Sequence, residues 1–210
     1  MPNWSYNRNI FRGKAKDLED FVEKINEYTK QNLAPNGFGT NWLGNICIGF
    51  GFDYYDLPCR GTCENIITDS IEYCEDDEDG FIEIDTATAW ANNPEMWLAI
   101  IEKHKLNFTY HWYMEEQGMN EFYKTEGSEE YFPENYYLHT ICNGNRNTVY
   151  PKTEDDIIAH VNQTFDKTFK SIDEVKEFAD ALNAEREENY YIILAPIAIC
   201  DVNGNIPDTN

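Results

Sequence analysis

The chain has 210 residues and a formal net charge of −23, from 39 Asp and Glu against 16 Lys and Arg, with 41% hydrophobic and 15% aromatic residues. Its supply of large apolar side chains excludes an acidic disordered tail, and its charge disfavours direct binding to nucleic acid or to an anionic lipid surface. The length suits one large domain or a main domain with a smaller second one.

The acidity is local. Residues 1–60 carry seven acids and seven bases, residues 61–145 carry nineteen acids against three Lys, and residues 146–210 carry thirteen acids against six bases. No basic segment followed by an apolar run opens the sequence, and no apolar run approaches bilayer length, so a soluble, cytoplasmic protein is expected.

In chain order, Trp4 to Phe11 reads as a strand, and the stripe Leu18, Phe21, Val22, Ile25 and Tyr28 reads as a helix opening at Asp17. Asn32 to Gly44, with Pro35, Gly37 and Gly39, reads as a loop, and the alternation of Asn45 to Phe52 predicts a second strand. Ile66 to Cys74 and Phe81 to Asp85 read as two strands of an acidic hairpin turning at Glu75 to Gly80. Asn93 and Pro94 then start a helix to His104, and Asn107 to Glu115 forms an aromatic strand ending near Gly118.

This order suits an α+β ferredoxin-like sandwich, an antiparallel sheet with two helices on one face, over residues 1–130. Residues 131–210 read as a smaller C-terminal α+β extension. Tyr131 to Asn147 is irregular, Thr153 caps a short helix, Phe165 to Phe169 reads as a strand, and Ser171 to Glu174 is a capping box. Tyr190 to Cys200 reads as a buried strand bent at Pro196, with a turn at Asn203 to Asn205.

Four short motifs occur in a fixed order: Met1-Pro2-Asn3-Trp4 with Asn7; Phe38-Gly39-Thr40-Asn41-Trp42; Thr88-Ala89-Trp90 with Pro94 and Trp97; and Tyr113 to Gly118 with Glu115 and Glu116. The pattern resembles the YubB-like, ferredoxin-like domain family of plasmids, phages and gut bacteria, over roughly the first 125 residues. The resemblance implies the ferredoxin-like sandwich and an origin on a mobile genetic element, and it implies no catalytic residues. After Trp42 the family usually continues with an acidic residue, where this chain has Leu43 and Gly44.

Catalytic and metal signatures are weak. Cys59 and Cys63 have a looser spacing than a zinc knuckle, so with Cys47 and Cys74 they read as buried or loop thiols before they read as metal ligands. His111 and Glu115 lie on one strand face and could form an acid and base pair, yet a His between Tyr110 and Trp112 reads first as a packed strand residue. No phosphate loop, dinucleotide fingerprint or nucleophile elbow is present, and no cofactor is expected. Tyr110, Trp112 and Phe122 are the places where a sheet could stack bases, but only Lys103, Lys105 and Lys124 lie between residues 61 and 145 to hold phosphates.

The expectation is therefore a non-enzymatic inhibitor of the anti-CRISPR or anti-restriction type, whose carboxylates stand in for phosphates on the basic nucleic-acid-binding surface of a host defence nuclease. Glu72, Glu75, Asp76, Asp77, Glu78, Asp79, Glu83 and Asp85 form the expected ridge, with Glu115, Glu116, Glu121, Glu126, Glu129 and Glu130 as a second patch. Tyr73, Tyr123 and Tyr131 are expected anchors. The alternatives are acidity that serves solubility alone, an accessory protein for another basic partner, and a small metal-binding protein or hydrolase using His111 and carboxylates.

Overall fold

A computed structural model describes residues 3–34, 38–185 and 188–206. Met1 and Pro2 of the first motif, and Pro35 and Gly37 of the expected loop, lie outside the described residues. The fold is mixed α+β. In chain order the elements are β1 (Trp4–Lys14), α1 (Ala15–Tyr28), α2 (Leu43–Gly49), β2 (Gly61–Ile67), β3 (Asp79–Ala89), α3 (Pro94–His104), β4 (Thr109–Glu116), β5 (Glu121–Thr125), β6 (Tyr136–Cys142), β7 (Asn145–Val149), α4 (Glu154–Phe165), α5 (Ile172–Glu185), β8 (Tyr190–Pro196) and β9 (Ala198–Cys200).

These elements divide into two compact units. The first holds the chain up to Met119, Tyr123–Ser128 and Ile199 onward, and the second holds Asn120–Phe122 and Glu129–Ala198.

A six-stranded sheet in the order β2-β3-β1-β4-β5-β9 forms the frame of the first unit, and β1 pairs antiparallel with both β3 and β4. Side chains alternate across a strand, so the residues of β1 that share a face with Phe11 are Ser5, Asn7 and Asn9. Phe11 lies 5.3 Å from the ring of Phe21 on α1 and 5.3 Å from that of Trp97 on α3, which puts both helices on this face. Leu18, Phe21 and Ile25 of α1 and Met96, Trp97 and Ile100 of α3 close over Phe11, Ile82, Ile84, Tyr110 and Trp112.

Toward the start of β1 the same face turns polar while staying buried. The Asn7 amide donates to Thr88 Oγ1 at 2.7 Å, the Ser5 hydroxyl donates to Asn7 Oδ1 at 2.7 Å, and the Asn9 amide donates to the Ile84 carbonyl at 2.9 Å. The Tyr110 hydroxyl donates to Asn9 Oδ1 at 2.8 Å and joins this ladder to the aromatic core. Each polar side chain of this ladder thus has a partner, which is what makes its burial tolerable. The opposite face carries the aromatic residues Trp4 and Tyr6 in the open, so the usual polarity of a strand is inverted over this stretch.

A three-stranded antiparallel sheet, β7-β6-β8, with α4 and α5 makes the second unit around Leu138, Ile157, Val161, Val175, Ala179 and Ile192. Asn143 and Gly144, both at positive φ (51° and 77°), turn β6 into β7 as expected of an Asn-Gly hairpin. Thr153 and Asp156 form a capping box at α4: the Asp156 N–H donates to Thr153 Oγ1 at 3.2 Å and the Thr153 N–H to Asp156 Oδ2 at 3.0 Å. At α5, Ser171 Oγ accepts from the Glu174 N–H, while the Glu174 carboxylate reaches the Lys170 N–H.

The fold departs from the sequence expectation at five places. Asn45 to Phe52 is no strand: α2 turns Leu43, Ile46, Cys47 and Phe50 inward at helical spacing. The buried Asn45 amide holds α2 by accepting from the Ala34 N–H and donating to the Gly39 and Thr40 carbonyls, and the Tyr28 ring fills the space where Gly49 lacks a side chain. The strand expected at Ile66 to Cys74 lies earlier, at β2, so β2 and β3 pair across a long loop, 68–78, instead of a tight acidic turn. Phe165 to Phe169 is also no strand, because Asp166 ends α4 at φ 52° and the Asn162 side chain clamps both the N–H and the carbonyl of Phe169. Tyr131 to Asn147, expected as irregular, contains β6 and the start of β7. The apolar run from Tyr190 is divided between β8, an edge strand, and β9 of the other sheet.

Candidate functional site

The loop 68–78 is built by a short series of turns. The Ile71 N–H donates to the Thr68 carbonyl at 2.9 Å, the Cys74 N–H to the Ile71 carbonyl at 3.1 Å, and the Glu78 N–H to the Glu75 carbonyl at 2.9 Å. Ile71 is buried and pins the loop to the core of the first unit. α1 starts without a side-chain cap, and its first N–H groups find their partners in this loop: Ala15 donates to the Glu78 carbonyl at 2.8 Å and Lys16 to the Asp76 carbonyl at 3.2 Å.

With its Asp76 and Glu78 carbonyls turned to α1, the loop holds Glu72, Tyr73, Glu75, Asp76, Asp77 and Glu78 exposed, and Asp79 at the start of β3 is exposed as well. Tyr73 is 88% exposed. The Lys14 ammonium lies 2.7 Å from Asp79 Oδ1, and its hydrogen bond and charge hold the Asp79 carboxyl below its ordinary value.

The structure does not bring Glu83 and Asp85 to this loop. Glu83 is buried on β3 and takes a two-point grip from Arg8, at 2.6 Å from Nε and 2.9 Å from Nη2. Asp85 is half-buried opposite Arg8, and burial, followed by the charge of Glu83, pushes its carboxyl above the ordinary value. These two acids lie beside Arg8 across the sheet, not on the loop.

The second expected patch is divided between the units. In the first, Glu126 is exposed, Glu115 is half-buried 3.4 Å from the Tyr113 hydroxyl, and the half-buried Tyr123 packs on the core. Glu116 is only 2% exposed; its Oε1 accepts from the Gly118 N–H at 3.1 Å. In the second unit Glu121, Glu129 and Glu130 are exposed and Tyr131 is half-buried.

The residues considered for other chemistry are mostly buried. Tyr110, Trp112 and Phe122 lie inside, so none offers a face for base stacking. His111 is half-buried, with Nδ1 at 3.2 Å from Thr125 Oγ1. Cys47, Cys59, Cys63 and Cys200 are buried thiols, and burial pushes Cys63 up to about 12 and Cys200 up to about 11. Among the described residues no group of three or more His, Cys, Asp and Glu could hold a metal ion, and no helix is long and apolar enough to cross a membrane.

Two features escaped sequence reasoning. One is the exposure of the aromatics Trp4, Tyr6 and Trp90, with Trp90 at φ 78°; the alternation of Trp4 and Tyr6 with Ser5 and Asn7 marks a strand and does not by itself say which face lies inward. The tie between the acidic loop and α1 had no local signal, because it joins main-chain groups distant in sequence. Comparison with protein-family models, with curated proteins and with solved structures returns no match.

Proposed function

We propose that this chain is a non-enzymatic binding protein whose acidic loop docks on a basic protein surface that otherwise holds nucleic-acid phosphates. The observation that carries the reading is the row of six exposed carboxylates in eight residues, Glu72 to Asp79, on a loop whose main chain is already bonded to α1. Duplex DNA presents one charge per about 1.7 Å of axis, so a dense row of carboxylates approximates its charge and steers a basic groove toward the loop. A loop ordered before binding loses little further freedom on docking. Tyr73 is the aromatic anchor of this surface. Its target is a nuclease of host defence, met in the cytoplasm of the host cell.

The same reading takes the first unit as a ferredoxin-like sandwich, in keeping with the resemblance to the YubB-like family. Its support is the order β2-β3-β1-β4, in which β3 separates the strands joined through α1 and β1 separates those joined through α3.

The test is affinity capture from host lysate with the wild-type chain and with a variant carrying Glu75→Gln, Asp76→Asn, Asp77→Asn and Glu78→Gln. The expected result is a nucleic-acid enzyme captured at low salt, released at high salt, displaced by added DNA or RNA, and not retained by the variant. A partner held equally by both chains, or one indifferent to salt, overturns the proposal.

A further inference from the structure

The edge of the second unit's sheet supports an inference independent of the acidic loop. β8 pairs on one side with β6, in register from Tyr136 opposite Pro196 to Cys142 opposite Tyr190, and it is the last strand of its sheet. Its other side faces α5, which returns alongside it. There the side chain of Asn183 makes the two bonds of a neighbouring strand: its amide donates to the Ile192 carbonyl at 2.7 Å, and its Oδ1 accepts from the Ile192 N–H at 3.0 Å. A carboxamide has the same donor and acceptor as a peptide group, so Asn183 pairs the edge at one residue.

Main-chain groups alternate in direction along an antiparallel strand. Since those of Ile192 point away from β6, those of Leu194 do so too, and α5 sends no side chain to meet them. In front of them lies a cavity of about 540 Å³ whose walls include Ile172, Lys176, Ala179 and Asp180 of α5 and Ile193 and Leu194 of β8. It pairs an apolar floor with an open donor and acceptor. Glu154 and Asp180 line it against one cation, Lys176, and residues 129–198 hold fourteen acids and six bases, a net −8.

We infer that this groove takes a short extended segment of a partner protein, in which apolar and basic residues alternate, as an added strand on β8. The segment's main chain exchanges hydrogen bonds with Leu194, its apolar side chains lie on Ile172 and Ala179, and its basic residues meet Glu154 and Asp180. Asn183 limits the docking length by occupying the next pairing position.

Residue-resolved amide hydrogen exchange on the full chain tests this, with an end-capped hexapeptide of alternating valine and lysine as the probe. In the free protein the Leu194 amide exchanges fast while Ile193 and Ala195, bonded to β6, are slow; saturating peptide slows Leu194 at least tenfold and leaves its neighbours unchanged. Proline is compatible with an edge position whose N–H faces outward, so Leu194→Pro keeps the slow amides of β6 and loses the peptide. If that variant does not fold, a peptide with ester links in place of its central amides decides, because it fills the groove without the donors and binds at least tenfold more weakly. Asn183→Ala extends peptide protection to Ile192. A Leu194 amide already slow in the free protein, no protection at millimolar peptide, or protection indifferent to the ester replacement overturns the inference.

Discussion

The two units solve the same problem of fixing helices to a sheet in opposite ways. Under its helices the first unit combines an aromatic core with a buried polar ladder, Ser5, Asn7, Asn9, Thr86 and Thr88. The second buries a small aliphatic core and secures its helices from the outside, with the Thr153–Asp156 capping box and with Asn162 and Asn183 clamping main-chain groups. Where large rings supply ample apolar burial, hydrogen bonds can be spent on setting strand register. Where the core is small, side-chain bonds to the main chain do the ordering that volume cannot.

The strongest way to break this contrast is Trp97→Ala. Trp97 is buried between Phe11 and Phe21, and its removal should cost the first unit about 3–5 kcal/mol. Denaturant unfolding followed by residue-resolved probes checks it: loss confined to the first unit fits, and a cost below about 1 kcal/mol would mean that the aromatic core is not what holds the helices.

Replacing Asn7 sharpens the comparison. Asn7→Leu takes away the Oδ1 that Ser5 donates to at 2.7 Å, leaving it only Thr88 Oγ1 at 3.3 Å, and removes the amide donated to Thr88, for a cost of about 1–3 kcal/mol. Adding Ser5→Ala removes the hydroxyl that has lost its shorter bond and should recover part of the loss in the same unfolding measurement; a purely additive double variant would show that the ladder does not act as a unit.

The smallest effect belongs to the second unit. Thr153→Ala removes the cap of α4 and should cost about 1 kcal/mol at neutral pH. The sign of its pH dependence follows from Asp156, whose carboxyl is held below its ordinary value first by the Thr153 hydroxyl and then by the Thr153 N–H. A depressed carboxyl contributes stability that is full above its unfolded value near pH 4 and is lost as pH falls through the folded one, so the gap between wild type and variant should narrow in acid. A gap of equal size at pH 7 and pH 3 would show that the carboxylate takes no part in the cap.

Much of the first unit was legible because its signals are local. The stripe from Leu18 to Ile25 and the Asn93-Pro94 start of α3 each depend on neighbours within a few turns. α2 was misread because Ile46, Ile48, Phe50 and Phe52 alternate by coincidence, and because Gly49, which looks like a helix breaker, is there to admit the Tyr28 ring. The Asn143-Gly144 turn was a readable hairpin signal that the surrounding polar residues concealed. At the candidate site, sequence spacing found the exposed acids from Glu72 to Asp79, but it could not separate them from Glu83 and Asp85. What distinguishes those two is Arg8, reached only across the sheet.

The bonds from Ala15 and Lys16 to the acidic loop also decide when that loop can be cut. A glutamate-specific protease needs its target drawn out as an extended strand, and residues 68–78 can take that form only after the first turn of α1 releases the Glu78 and Asp76 carbonyls. Although it is exposed and rich in cleavage sites, the segment is locked by a helix far away in sequence, and a clip there reports the opening of α1 from the loop.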